Sequence, residues 1–279
     1  MKFSLLWITV LICRVSIAQS NQFASGVQWD VKQNELVLKN RVEDNTGQKY
    51  WAYLLNLLPP EPLEKYITSL RLFTDGEQED LGGMSPLNDQ NTAWEVDLDT
   101  IDFNLNSTDS IYILDFIHTA IHEFGHLVTL NPEQVLVTDD EYQNDSIGYL
   151  TSEGYAIDGS YLGEFVKQFW NDGLLENWDK IDKIRVEPIR LNKLYKFYLD
   201  NEENFMTDYA AESPEEDIAE SWTFFVLCDK PSKNLVKYEK VRFFYQYPKL
   251  LEYRNQIRAN LNAIPDNYLE KNKWVLDNW

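Results

Sequence analysis

The sequence predicts an α+β fold, predominantly helical, with a small N-terminal sheet and one long helix buried near its middle. Three observations carry that prediction. Ala93-Trp94-Glu95-Val96-Asp97-Leu98 alternates apolar and polar residues, the period of a strand. From about Asp109 to Leu130 apolar side chains cover most of a helical circumference, with one polar stripe left over. Beyond that run, helical periodicity dominates. The expected division is a leader at 1–18, an N-terminal lobe over about 19–130 and a helical C-terminal lobe over about 131–279.

The elements follow in order. Met1-Lys2, the apolar run from Ser4 to Cys13 and the small-x-small Ser16-Ile17-Ala18 resemble a secretory signal peptide. That implies a secreted, periplasmic or cell-surface protein, with Cys13 a possible lipid-anchor position. Residues 19–60 mix polar turns with strand-like pieces such as Glu35-Leu36-Val37-Leu38. Pro59-Pro60 then introduces a helical pattern through Leu63, Tyr66, Ile67 and Leu70. Residues 74–92, rich in Asp, Gly, Asn and Gln, read as loop. The long helix has Ser107, Thr108 or Asp109 as cap and stops before Pro132. Residues 131–147 are acidic and aperiodic. Residues 153–201 look helical, with aromatic residues at Phe165, Phe169, Trp170 and Trp178 that read as core in preference to substrate subsites. The tail from Leu235 is helical, broken at Pro248 and Pro265.

Composition limits the partners. A net charge of −21 repels nucleic acid and anionic membrane surfaces alike, and is expected to serve solubility outside the cell. No segment after the leader approaches the roughly 20 apolar residues of a membrane span. Of the two cysteines only Cys228 remains after cleavage, so no internal disulfide is expected. Asn106-Ser107-Thr108 and Asn144-Asp145-Ser146 are formal glycosylation sequons, meaningful in a eukaryotic secretory route.

The chemistry concentrates at His122-Glu123-Phe124-Gly125-His126, an HExxH motif that holds two of the chain's three histidines. On a helix, residues four apart lie one turn above each other, so both imidazoles can reach one zinc ion. Glu123 then stands beside a water on that ion as general base, the arrangement of a metallopeptidase. Gly125, which costs about 1 kcal/mol against Ala in a helix interior, signals close packing beside the metal. A hydrolytic zinc needs a third protein ligand. His118 fails on geometry, since it lies a rise of roughly 12 Å from His126 along a straight helix; a structural or supporting role is expected for it. The longer HExxHxxGxxH pattern is absent, because Thr129 and Pro132 occupy its last glycine and histidine. The third ligand is then a carboxylate or Cys228. Phe205 to Glu220 is the best source: Ser213 caps a helix with Pro214 in its first turn, and Glu216 and Glu220 share one face. Either is a candidate, and Ser213-x-x-Glu216 also reads as a capping box.

On these residues the chain resembles the gluzincin metallopeptidases, nearest in motif to the anthrax lethal factor and Pro-Pro endopeptidase branch. In that branch a tyrosine precedes the ligand glutamate by seven residues, in a pattern close to Tyr-Ala followed by Glu-x-x-Ala-Glu. The likeness covers residues 118–126 and 205–222. It implies a zincin-like two-lobed fold, one catalytic Zn²⁺ on His122, His126 and Glu216, and Glu220 orienting a ligand imidazole. It also implies a peptide or protein substrate, with Glu123 as base and Tyr209 donating to the oxyanion. The distance in sequence from His126 to Glu216 exceeds what those families usually show and implies an inserted helical region. Ala93 to Leu98 is expected to be the edge strand against which a peptide lies. The competing readings are a secreted zinc-binding protein that acts by interaction, and a zinc amidase acting on something other than peptides.

Overall fold

The computed structural model describes residues 26–38, 46–74, 81–100, 105 and 110–263. The segment read as a signal peptide, Cys13, the Asn106 sequon, the cap candidates Ser107, Thr108 and Asp109, and Pro265 lie outside them.

Two sheets and nine α-helices are present among the described residues. β1 (Val27–Lys32) and β2 (Glu35–Leu38) form a hairpin whose two turn residues, Gln33 and Asn34, take φ of 51° and 65°. That left-handed pair matches the twist of the flanking strands. α1 (Thr46–Leu57) and α2 (Pro60–Tyr66) follow. The helical pattern expected to continue through Ile67 and Leu70 instead stops at Tyr66. Ile67 is extended and opens β3 (Ile67–Phe73), where β-branched Ile67 and Thr68 favour a pleated chain.

β4 (Gly82–Pro86) and β5 (Trp94–Asp99) complete a mixed five-stranded sheet of order β2-β1-β3-β5-β4, in which only β3 and β5 run parallel. This corrects two expectations. The Ala93–Leu98 strand exists but is interior, with β3 and β4 on its two sides; the edge is β4, inside the segment read as loop. β4 carried no strand signal because two of its five residues are glycine and one is proline. Gly82 is needed there: a Cβ would sit 2.5 Å from the Asp97 carbonyl oxygen.

α3 (Ser110–Leu130) is the long helix, ending before Pro132 as expected. After it, β6 (Val135–Leu136), β7 (Tyr149–Leu150) and β8 (Tyr155–Ala156) make a small sheet of order β6-β8-β7. Strands of two residues are too short to display a period. α4 (Tyr161–Phe169), α5 (Leu174–Asp182), α6 (Glu187–Asp200), α7 (Pro214–Leu227), α8 (Val236–Phe243) and α9 (Pro248–Ala263) build the remainder. Among the described residues no helix is long and apolar enough to cross a membrane. Phe165, Phe169, Trp170 and Trp178 are all buried, so that aromatic stretch is core.

The core is organised on α3 and α7. α7 is buried on every side from Glu216 to Leu227. Ser213 caps it, accepting from the Glu216 amide at 3.1 Å, and Pro214 opens its first turn. At its other end, Arg254 and Arg258 of α9 donate to the carbonyls of Phe225, Val226 and Leu227, which a helix terminus leaves without partners. A buried ion pair joins its Asp217 to Lys240 of α8 at 2.5 Å, with Trp170 Nε1 donating to the same carboxylate oxygen at 2.8 Å. The Lys240 ammonium also stands 4.3 Å from the Phe205 ring centre, inside an aromatic surround.

The two helices touch at Gly125. A Cβ there would lie 2.8 Å from Trp222 Cδ1 and 3.3 Å from Ala219 Cα. Trp222 is held in turn, its indole N–H donating to the Ile121 carbonyl at 3.1 Å. Gly125→Ala is expected to destabilise the protein by up to about 2 kcal/mol in urea unfolding. Overpacking costs about 1–3 kcal/mol, against a helix-propensity gain of about 1 kcal/mol. A more stable Ala variant would contradict the close approach.

Candidate metal centre

His122 and His126 project from α3 on one face, as their four-residue spacing dictates, and Glu216 meets them from the first turn of α7. His122 Nε2 lies 3.1 Å from His126 Nε2 and 3.0 Å from Glu216 Oε2; His126 Nε2 lies 3.3 Å from Glu216 Oε2. All three residues are buried. Their donor atoms form a group able to hold a metal ion. The spacing fits one: metal–nitrogen bonds of 2.0–2.1 Å at tetrahedral angles place ligand atoms about 3.3 Å apart. Two imidazole nitrogens and a carboxylate oxygen are also the donor set of hydrolytic zinc sites.

The surrounding groups fix these rings. Glu220, one turn beyond Glu216, meets His122 Nδ1 at 2.9 Å, which leaves Nε2 directed at the other two donors. Thr207 Oγ1 donates to the second Glu220 oxygen at 2.7 Å. His118 Nε2 stands 3.6 Å from Glu220 Oε1 and its ring stacks on that of His122. Burial pushes the His118 pKa down, against the opposing pull of Glu220. It is a supporting residue and not one of the three converging donors. The capping box stays half made: the Glu216 amide bonds Ser213, but its carboxylate turns to the imidazoles.

Ionisable groups are concentrated here in buried positions. Burial alone would depress the His122 imidazolium, but Glu216 and Glu220 hold its pKa well above the usual histidine value. Burial likewise disfavours ionised Glu216, yet His126 and His122 keep its pKa well below the ordinary carboxylate range. Metal uptake therefore displaces protons from the imidazoles and weakens as pH falls. His126 Nδ1 is buried and has no hydrogen-bond partner among the described residues.

Glu123, the next residue along α3, is half-buried. The Met84 amide of β4 donates to its Oε2 at 2.8 Å. Burial raises its pKa, opposed by His126 and His122. The Tyr209 ring centre lies 5.6 Å from that of His122, on a short 3-10 turn (Tyr209–Ala211) that packs against α7. Cys228 caps the far end of α7, away from the three donors.

Three contributors escaped the sequence. Thr207 lies between Phe205 and Glu220, but nothing in the sequence marks it as the partner of Glu220. Met84 acts through its backbone, which leaves no trace in residue identity. Tyr149 donates to Glu215 Oε2 at 3.1 Å beside the start of α7, where burial pushes Glu215 up to about 7. Burial also raises Glu212 to about 7, reinforced by Glu216.

Replacing Glu220 with Gln is expected to weaken metal binding by roughly 10–100-fold, the usual effect of losing a carboxylate behind a ligand imidazole. Competition against a chelator measures it. Unchanged affinity would remove Glu220 from the orienting role.

No protein-family model matches this chain, and no significant match to it emerges among curated proteins or solved structures.

Proposed function

We propose that this protein is a secreted zinc metallopeptidase of the gluzincin kind, with a zincin-like two-lobed fold and a cleft between the five-stranded sheet and α7. The observation that carries the reading is the convergence of His122, His126 and Glu216 on one point, with Glu123 alongside. A purely structural ion has no use for a carboxylate held next to, but outside, the ligand set.

A divalent cation held by His122, His126 and Glu216 supplies Lewis acidity, lowering the pKa of a water and polarising a carbonyl. The chain's own residues do the rest. Glu123 takes a proton from the attacking water and delivers it to the leaving amine. Burial raises its pKa above the ordinary carboxylate value, the direction that makes a stronger general base. Tyr209 donates through its hydroxyl to the oxyanion that develops at the attacked carbonyl. Glu220 keeps His122 in the tautomer that ligates. An extended peptide lies along β4, the edge strand next to Glu123, and pairs with it backbone to backbone.

The test is metal analysis of purified protein together with a mixed peptide library. Zinc at one per chain and cleavage abolished by chelation support the proposal. Stoichiometric zinc with no cleavage of any peptide, but turnover of a non-peptide amide, would move the protein to the amidases. No zinc at all would end the hydrolase reading.

A further inference from the structure

β4 alternates in what its backbone faces. Leu81 accepts from the Asp99 amide at 2.9 Å, and Leu87 donates to the Ala93 carbonyl at 2.7 Å. In an antiparallel pair, residues directed at the partner strand alternate with residues directed away from it. The odd-numbered positions therefore face β5, while Gly82, Met84 and Pro86 present their main-chain groups at the open edge. Pro86 has no N–H to present, which is why an edge tolerates it there. The outward donors of β4 reduce to the amides of Gly82 and Met84. Met84 gives its own to Glu123. Among the described residues, the other Glu123 oxygen has no hydrogen-bond partner.

We infer that the Met84 backbone amide is the positioning group for Glu123: it pins one carboxylate oxygen to the sheet edge and leaves the other to exchange protons. The inference rests on the proposed role of Glu123 as base. A carboxylate on a helix can rotate about its side-chain torsions; a charge-assisted bond to a rigid strand removes that freedom. It also divides the labour of the edge. A peptide docked along β4 finds the carbonyls of Gly82, Met84 and Pro86 and the amide of Gly82, but not the Met84 amide. The substrate is accordingly held mainly through its own N–H groups, and base position is tied to the strand that positions the scissile bond.

Two measurements decide it. The chain has three methionines, so ¹⁵N-methionine labelling of the zinc-loaded protein gives at most three amide signals. Met84→Leu identifies the Met84 signal by its disappearance. In Glu123→Ala the Met84 amide is expected to move upfield and to exchange with solvent at least about 10-fold faster; an unmoved signal overturns the inference. For turnover, Met84→Leu keeps the N–H and should keep kcat within about threefold, whereas Met84→Pro removes the N–H at a position facing away from β5. Misplacing a catalytic group costs on the order of 10²-fold, and that loss should appear in kcat with KM and zinc content held. A rise in KM with kcat preserved would instead assign the amide to substrate pairing. If Met84→Pro does not fold, the exchange experiment stands by itself. If the wild type cleaves no peptide, the proposed function fails while the Met84–Glu123 bond is still tested.

Discussion

Glu123→Gln is expected to keep its zinc and lose turnover, with kcat lower by about 10²–10⁴-fold, the range for removing a general base. Gln has the same shape, and its amide oxygen can still accept from Met84, so the edge strand and α3 should stay in place. Glu123 is not among the three converging donors, so zinc content should match wild type by elemental analysis. What disappears is a group able to take a proton. The pH profile gives an independent check. Burial raises the Glu123 pKa above the ordinary glutamate value, so its ionised form is lost as pH falls through that raised value. An acid limb that belongs to Glu123 should be present in wild-type kcat/KM and absent from residual Gln activity. Full cleavage by the variant would exclude Glu123 as base.

Glu216→Gln is expected to abolish stoichiometric zinc binding and activity with it. It removes the only anionic member of the donor set, which counterbalances two buried imidazoles. The loss should exceed the roughly 10–100-fold expected for an outer partner such as Glu220, and that contrast identifies which glutamate is the ligand. Thermal unfolding supplies a second readout. Zinc binding only the folded state raises the wild-type Tm, and the increment should vanish in Glu216→Gln. The metal-free variant should also show a lowered His122 pKa, because burial is then opposed by Glu220 without Glu216. A variant that still holds one zinc per chain would hand the ligand role to Glu220 or to a residue not considered.

How much of this was legible in sequence depended on where each interaction is encoded. α3 announced itself through its apolar circumference, its stop before Pro132 and the spacing of His122 and His126. Gly125 was readable as a contact point because nothing else justifies glycine in a helix interior. α7 was readable from Ser213 and Pro214, and Glu216 and Glu220 from their one-turn spacing. Their spacing does not distinguish which of the two faces the histidines; the motif resemblance alone points to Glu216. The sheet was half legible: alternation located β5 but not its neighbours. β4 was lost because Gly82, Gly83 and Pro86 carry loop signals, although an edge strand accepts them. α2 was prolonged into β3 because Tyr66, Ile67 and Leu70 fit either period. The Met84–Glu123 bond had no signature at all, since a main-chain amide belongs to every residue except proline.

His122 and Glu216 are 94 positions apart along the chain, yet their donor atoms lie 3.0 Å from each other. An ion joining them acts as a staple on the polymer. Closing a loop of that length in the unfolded ensemble corresponds to roughly 4–5 kcal/mol of chain entropy, by analogy with a disulfide. Among the described residues no disulfide joins distant segments, so an ion on His122, His126 and Glu216 would be a cross-link between α3 and α7. Stripping the cation would loosen the whole span between α3 and α7. Protease survival with and without chelator would report that tether directly.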